Sequence, residues 1–297
     1  LQELRRLSID IDIIVPKSVT IAEINEILKN IVRTSSFTRY EEQERHLSQI
    51  PKAHFKLFYE SPFNQSEVYV LLDVLFEENP YSRLDSTDIV CPFIDTIPPN
   101  VTVKVPSIAD ILGDKLTAFA PNTTGILYDK EKEMEIIKQL FDIESLFDQL
   151  STTNGVKDTF IRCAEQELNY RQLTEMNYEN VLDDIFKTAI IIGGRGSFDK
   201  ETFLKLENGI RRIKSHIINR NYIVEEAVVS ASKAAYLSML LKYRQEDIEK
   251  YHPKETLPEL EGVPLFKKMA KIKNFSPEAY YYFAKAQELI RRSEKTK

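Results

Sequence analysis

Three aspartates near the start of the chain are the residues whose types and spacing could support chemistry. Asp10 and Asp12 lie in residues 8–15, where isoleucine alternates with polar residues, and this period of two predicts a β-strand. Because residues two apart share one face of a strand, we expect both carboxylates to point the same way, with Ser8 beside them. The other face would then point into the core and would carry Ile9, Ile11 and Ile13.

Carboxylates held this close repel each other, so the pair is costly unless a cation neutralises it. Mg²⁺ is a natural candidate, because it prefers oxygen ligands and usually shares them with substrate phosphates. For Asp10 and Asp12 taken alone, an edge strand with a solvated polar face is the simpler explanation.

Asp73 changes that balance. It is a lone carboxylate within the apolar residues 69–76, and such a group is expensive to bury without a partner or a metal. If its strand lies beside the first strand, Asp73 completes a three-carboxylate site. Metal ions held there could activate an attacking hydroxyl and stabilise a leaving pyrophosphate. The alternative for Asp73 is a strand end or an edge position that faces water.

The elements that must position these residues are strands mixed with helices. Pro16 ends the first predicted strand, and Thr20 is placed to cap a helix that runs to about Arg33. Ser107 is placed to cap a helix over about residues 108–119, with Asp110 as its capping-box partner. Further strands are predicted at 54–59, 68–76, 91–94 and 101–105, and a further helix at about 130–150. This order predicts an α/β or α+β sheet domain.

The second half has almost no strand signal. Helical periodicity covers about residues 156–168, 178–192, 199–218, 223–242, 245–251 and 276–293. We therefore expect a sheet domain over residues 1–154 and an all-helical C-terminal domain over 155–297. Residues 1–150 carry a net charge of −10 and residues 151–297 one of +4. A metal-binding half joined to a half that faces a polyanion would have this asymmetry, and drift in surface charge explains it equally well.

Four stretches form one pattern along the chain: RLSIDID at 6–12, LDV at 72–74, VPSIADILGDKL at 105–116 and KQLFDI at 138–143. With these stretches in this order, the chain resembles the nucleotidyltransferase superfamily and, within it, the AbiEii/AbiGii toxins of type IV abortive-infection toxin–antitoxin systems. The resemblance is strongest over about residues 1–150 and implies a nucleotidyltransferase-like mixed sheet domain followed by helices. The family's Gly-Ser or Gly-Gly turn before the Asp pair is absent, because the sequence begins too close to Asp10, and Gln139 stands where the family often has Asp.

The resemblance also implies a role for each matching residue. Asp10, Asp12 and Asp73 would bind Mg²⁺, and Asp73 would be a candidate general base. Lys115 would hold the triphosphate of an NTP and Asp142 would contact the nucleotide or the metal, while Ser8 would lie close to the phosphates. Taken alone, Lys115 fits a solvated helix lysine and Asp142 a surface carboxylate.

The function implied is Mg²⁺-dependent transfer of a nucleotide from an NTP to a tRNA 3′ end or a protein hydroxyl, which is toxic unless a cognate antitoxin neutralises it. One alternative is a nucleotidyltransferase that modifies a small molecule such as an antibiotic. Another is a non-catalytic interaction protein on the same fold, which the presence of all three aspartates disfavours.

Composition excludes several other classes. No run approaches the roughly 18 apolar residues of a membrane span, so we expect no membrane partner. Two cysteines are too few for a disulfide framework or a cysteine-rich zinc site, which favours a reducing, cytoplasmic location. The four histidines have no metal-ligand spacing.

The glycine-rich residues 193–197 lack the phosphate-loop lysine, so a loop between helices is the better interpretation. Arg211, Arg212 and Lys214, with Arg220, form the first place to look for a phosphate-binding surface, although a solvated face explains them more simply.

Overall fold

The structure is a computed structural model that describes residues 5–8, 10–43, 50–90, 95–218, 220–254, 256–258 and 269–295. It divides into two compact units, of which the first is Arg6–Pro80 and the second is Tyr81–Lys297 with Leu1–Arg5. Strands and helices are mixed and the later part of the chain is helical, which confirms the predicted fold class. No helix among the described residues is long and apolar enough to cross a membrane.

The first unit is a four-stranded mixed sheet with one helix. Its elements in chain order are β1 (Asp10–Val15), α1 (Ile21–Thr34), β2 (Arg39–Glu42), β3 (Lys52–Glu60) and β4 (Glu67–Phe76). The strand order is β1-β4-β3-β2, with β1 parallel to β4 and the other neighbours antiparallel. The strand that carries Asp73 therefore lies directly beside the strand that carries Asp10 and Asp12.

Local sequence signals explain how α1 begins and what it covers. The Thr20 side chain accepts a hydrogen bond from the Glu23 backbone N–H, and the Glu23 carboxylate accepts one from the Thr20 N–H at 2.7 Å, so a complete capping box fixes the start of the helix. The apolar stripe of α1 packs on one sheet face to form the core of this unit, whose buried members are Ile24, Leu28, Ala53, Phe55, Leu57 and Val74.

The expected burial of the β1 isoleucines is wrong for two of the three. Ile11 and Ile13 remain 52% and 37% exposed, because β1 is an edge strand and the core lies under β3 and β4. Ile9 lies outside the described residues. The predicted division into two faces is nevertheless confirmed: Ile11 and Ile13 lie opposite Leu72 and Val74 on the face that carries the core, and Asp10 and Asp12 lie on the other face.

The second unit is an antiparallel pair of strands followed by helices. Its strands are β5 (Leu84–Asp88) and β6 (Thr102–Pro106), and its helices in chain order are α2 (Ile108–Ala118), α3 (Glu133–Phe147), α4 (Val156–Tyr170), α5 (Tyr178–Gly193), α6 (Lys200–Ile213), α7 (Val224–Lys242) and α8 (Pro277–Lys295). Short 3₁₀ turns lie at Tyr128–Lys130, Lys214–His216 and Ala270–Asn274. In the part of this unit that the structure describes, a continuous apolar core links these seven helices, and α7 lies mostly buried between α5 and α8.

A charged network lies within this core. Lys233 on α7 is 4% exposed and contacts Asp148 at 2.8 Å, Glu278 at 2.9 Å and Glu144 at 3.7 Å. Arg220 and Ser230 also bind Glu144, each at 2.7 Å. Since a buried charge is tolerated only when it is paired, these contacts lock α3, α7 and α8 in one arrangement.

The structure corrects or extends the predicted elements in a few places. The predicted helix at 245–251 is wrong, because this segment forms an isolated bridge between Asp247 and Thr152 instead. Strands β2 and β5 were not predicted, since both are short, polar and at sheet edges. The predicted strand at 91–94 lies outside the described residues. The predicted domain boundary after Asn154 falls between α3 and α4, within the second unit, and it stays a prediction.

Candidate active site on the first-unit sheet

The strand register brings the three predicted aspartates to one sheet face, which we call the polar face. Asp10 lies opposite Leu71 and Asp12 opposite Asp73 in the parallel β1–β4 pair. Directly opposite residues project from the same side of a sheet, so all three carboxylates share the face that α1 does not cover. Asp73 is central rather than at an edge, because β4 lies between β1 and β3. This excludes the alternative of an edge position for Asp73.

Negative charge is concentrated where the two strands meet. Asp12 and Asp73 are register neighbours, and the Ser8 hydroxyl donates a 2.5 Å hydrogen bond to Asp10 Oδ1. Their oxygen donors are the ligand type that Mg²⁺ prefers, so the donor chemistry fits this ion. Among the described residues, however, no three or more histidine, cysteine, aspartate or glutamate side chains are grouped so that they could hold a metal. The assignment of metal ligands therefore stays a prediction.

His54 is also part of this face, although no sequence pattern singles it out. It lies opposite Asp73 in the antiparallel β3–β4 pair, and its Nδ1 is 2.7 Å from Asp73 Oδ1. The row Asp12–Asp73–His54 thus crosses three neighbouring strands. The position of His54 within residues 52–60 shows only which side of β3 its side chain lies on. Its contact with Asp73 depends on the strand register, which a single sequence does not reveal.

Farther along the polar face, basic side chains make cation–π contacts with aromatic rings. The Arg39 guanidinium lies 3.5 Å from the ring centroid of Phe58 and makes a two-point ion pair with Glu67, with distances of 2.6 and 2.9 Å. Lys56 lies 4.5 Å from the ring centroid of Tyr69. These contacts hold β2, β3 and β4 together beside the aspartates.

The other two predicted site residues meet each other in the second unit. Lys115 on α2 and Asp142 on α3 form an ion pair of 3.3 Å, and both side chains are partly exposed at 30% and 16%. Lys115 is thus a paired lysine and not a solvated one. The neighbouring Asp114 accepts a hydrogen bond of 3.1 Å from the Tyr81 hydroxyl. Nothing in the spacing of Tyr81 along the sequence links it to α2.

Gln139 lies one turn before Asp142 on the same helix. Its Oε1 is buried and accepts no hydrogen bond from any described residue. Glutamine keeps an acceptor oxygen but not the charge of the aspartate that the family often has at this position.

Other polar or reactive side chains of the second unit have structural roles. Burial and the nearby Asp114 carboxylate raise the pKa of the Cys163 thiol far above its ordinary value, so it stays protonated and is not a nucleophile. Arg220 is committed to Glu144, which removes it from the expected phosphate-binding surface, whereas Arg211, Arg212 and Lys214 are exposed. Residues 194–197 lie in the loop between α5 and α6, as expected, and Gly193 is the last residue of α5. Gly193 has no room for a side chain, since a Cβ would lie 2.5 Å from Phe283.

Comparison with known protein families identifies a match. A family model described as nucleotidyl transferase AbiEii toxin, type IV TA system, matches residues 1–247 of the 297. This match extends well beyond residue 150, where the recognisable motifs end. No curated protein and no solved structure matches the chain significantly.

Proposed function

Because the chain belongs to the AbiEii family of nucleotidyl transferase toxins of type IV toxin–antitoxin systems, we propose that it transfers a nucleotide from an NTP to an RNA acceptor with Mg²⁺ at the polar face. Membership of this family also implies a cognate antitoxin. The nucleotide donor, the metal and the acceptor are the parts of this function that we add.

The observation that carries the proposal is the register of β1 and β4. It places Asp12 opposite Asp73, with Asp10 two residues away on the same face. This much negative charge on one face has a clear chemical use if Asp10, Asp12 and Asp73 hold a cation. Bound there, Mg²⁺ would supply charge neutralisation for the triphosphate.

The reaction assigns distinct tasks to the chain's own side chains. The acceptor hydroxyl oxygen forms a bond to the α-phosphorus of the NTP, the bond from that phosphorus to the bridging oxygen breaks, and pyrophosphate leaves. Asp73 takes the proton of the attacking hydroxyl as general base. Ser8 orients Asp10 through its hydrogen bond. The family resemblance implies that Lys115 provides positive charge for the triphosphate. Within the second unit, its ion pair with Asp142 holds its ammonium group.

Charge supports RNA as the acceptor rather than a protein hydroxyl. Arg211, Arg212 and Lys214 are exposed at the end of α6, in the part of the chain whose net charge is +4. Lysine and arginine clusters of this kind bind phosphate backbones. This surface is the one that we assign to the acceptor.

The test is incubation of the purified protein with Mg²⁺ and each α-labelled NTP in turn, together with total tRNA, total protein or neither. We expect label in tRNA, and none with Asp73→Asn or when EDTA is present. Label in protein or in a small molecule would overturn the RNA assignment. Label that persists with Asp73→Asn would overturn the site.

A further inference from the structure

We propose that His54 is a positioning residue for Asp73, fixing the carboxylate so that it can bind the cation and accept the proton of the attacking hydroxyl. This inference rests on the proposed function. It concerns a residue that the family resemblance does not assign.

The geometry is that of a specific contact and not of chance proximity. His54 Nδ1 and Asp73 Oδ1 are 2.7 Å apart, which is a short distance for a nitrogen–oxygen hydrogen bond. The two residues are directly opposite in the β3–β4 register, so the backbone fixes the spacing of their side chains. The His54 side chain is 13% exposed and that of Asp73 is 30% exposed, so solvent competes little for the bond at its histidine end.

The chemistry gives the bond a direction. An ionised carboxylate only accepts hydrogen bonds, so a carboxylate that acts as a base requires His54 Nδ1 to be the donor. The bond occupies Oδ1 on the side of β3 and limits rotation of the carboxyl group. Asp12 lies opposite Asp73 on the other neighbouring strand, β1. A base that must meet both a cation and a substrate hydroxyl benefits from this restriction, because it loses less entropy when they bind.

A purely structural cross-strand pair is the competing explanation. It predicts that variants of His54 change stability and that any loss of activity follows the loss of folded protein. A positioning role predicts instead that metal affinity and kcat depend on the position of the hydrogen-bond donor, even among variants of equal stability.

The choice of substitutions separates these explanations. His54→Asn places an amide nitrogen near the position of Nδ1 and keeps the donor. His54→Gln places its nitrogen one bond farther out, near Nε2, and His54→Ala removes the donor. Lys52→Ala is the matched control, because Lys52 lies two residues away on the same face of β3 and opposite Leu75.

The first readout is the affinity for Mn²⁺ without NTP, measured by electron paramagnetic resonance, and the second is kcat and KM for label transfer to RNA. We expect the Ala and Gln variants to lose roughly 10- to 100-fold in Mn²⁺ affinity, which is typical when the partner of a metal ligand is removed. We expect a similar loss in kcat with little change in the KM for RNA. Asn should stay within about threefold of wild type, as should Lys52→Ala.

Equal Mn²⁺ affinity and equal kcat in the Asn, Gln and Ala variants would overturn the inference, as would losses in Asn as large as those in Ala. If His54→Ala does not fold, the comparison of Asn with Gln decides alone. The Asp73→Asn variant separates a failure of the proposed site from a failure of the role of His54. If it still transfers label, the proposed site fails, whereas if it is inactive and the His54 variants behave like wild type, only the role of His54 fails.

Discussion

Replacing Asp12 with asparagine should stabilise the first unit without metal and destabilise it relative to wild type when Mg²⁺ is present. Asparagine keeps the size and one acceptor oxygen of aspartate but removes its charge. Because Asp12 lies directly opposite Asp73, the substitution removes a like-charge pair across neighbouring strands.

The size of the first effect follows from the strand geometry. Neighbouring strands are about 4.8 Å apart, and two unit charges about 5 Å apart repel by about 0.8 kcal/mol in water. The water value is appropriate, because Asp12 is exposed and Asp73 is partly exposed. Directly opposed like charges in sheets cost a similar amount, about 0.2–1 kcal/mol. We therefore expect a gain of roughly 0.5–1 kcal/mol, which shrinks in high salt because exposed charges are screened.

Hydrogen exchange of the β1–β4 amides is the suitable assay, since it reports the local free energy of opening. A gain of about 0.8 kcal/mol slows exchange about fourfold. Addition of Mg²⁺ should protect wild type further, by about 2.7 kcal/mol at a concentration 100 times its Kd. The variant should gain much less, so the order of protection reverses. Label transfer by Asp12→Asn should fall at least about 100-fold.

Glu60→Gln is the matched control for this experiment. Glu60 lies opposite Glu67 in the neighbouring β3–β4 pair of the same sheet, so the substitution also removes an opposed carboxylate but far from the candidate site. Its response to Mg²⁺ and its transfer activity should equal those of wild type. Faster exchange in Asp12→Asn without metal would refute the repulsion argument, and an unchanged order after Mg²⁺ addition would refute the role of Asp12 as a ligand.

Three further predictions concern the second unit. Lys115→Ala should raise the KM for NTP about 10- to 100-fold, since a charged contact to phosphate is lost; an unchanged KM would remove its assigned role. Glu144→Gln should lower the free energy of unfolding by about 3 kcal/mol at pH 7, because it leaves Arg220 and Lys233 undercompensated. Burial alone would raise the pKa of Glu144, but the Arg220 hydrogen bond and the Lys233 charge lower it below its ordinary 4.5. The stability that ionised Glu144 contributes is therefore fully present above pH 4.5 and is lost as the pH falls through its lowered pKa. Urea unfolding should show that wild type loses more stability than the variant as the pH falls from 6 to 3. A parallel loss would contradict this. Arg212→Ala should weaken RNA binding and lower its salt dependence by roughly one phosphate contact, and an unchanged salt slope would argue against this surface.

The sequence predicted the polar face because its information there is local. Alternation in residues 8–15 fixes which side chains share a face of β1, and Pro16 and Thr20 fix where the strand ends and the helix begins. A lone aspartate in an apolar strand indicated that Asp73 needs a partner. The structure provides such a partner in His54.

The parts that could not be predicted depend on register and on long-range packing. Nothing near His54 in the sequence shows that it lies opposite Asp73, because β3 could pair with β4 in several registers with the same alternation. The same limit hides the contact of Tyr81 with Asp114, since the two are far apart in sequence. From the sequence, Arg220 could contribute to a phosphate-binding surface with Arg211 and Arg212. In the fold it instead pairs with the buried carboxylate of Glu144 on α3.

The site also has an energetic consequence for the unit that carries it. The core cluster of the first unit has six buried members, Ile24, Leu28, Ala53, Phe55, Leu57 and Val74, among the described residues, with partly buried hydrophobic residues packed against them, and a core of this size contributes a small net stability. A repulsion of about 0.8 kcal/mol is therefore a sizeable fraction of that stability, and the contact of His54 with Asp73 becomes important for holding β3 against β4 when no cation is bound. Whatever neutralises the aspartates should thus stabilise the sheet as well as activate the chemistry, which couples the folding of this unit to its loading with cation.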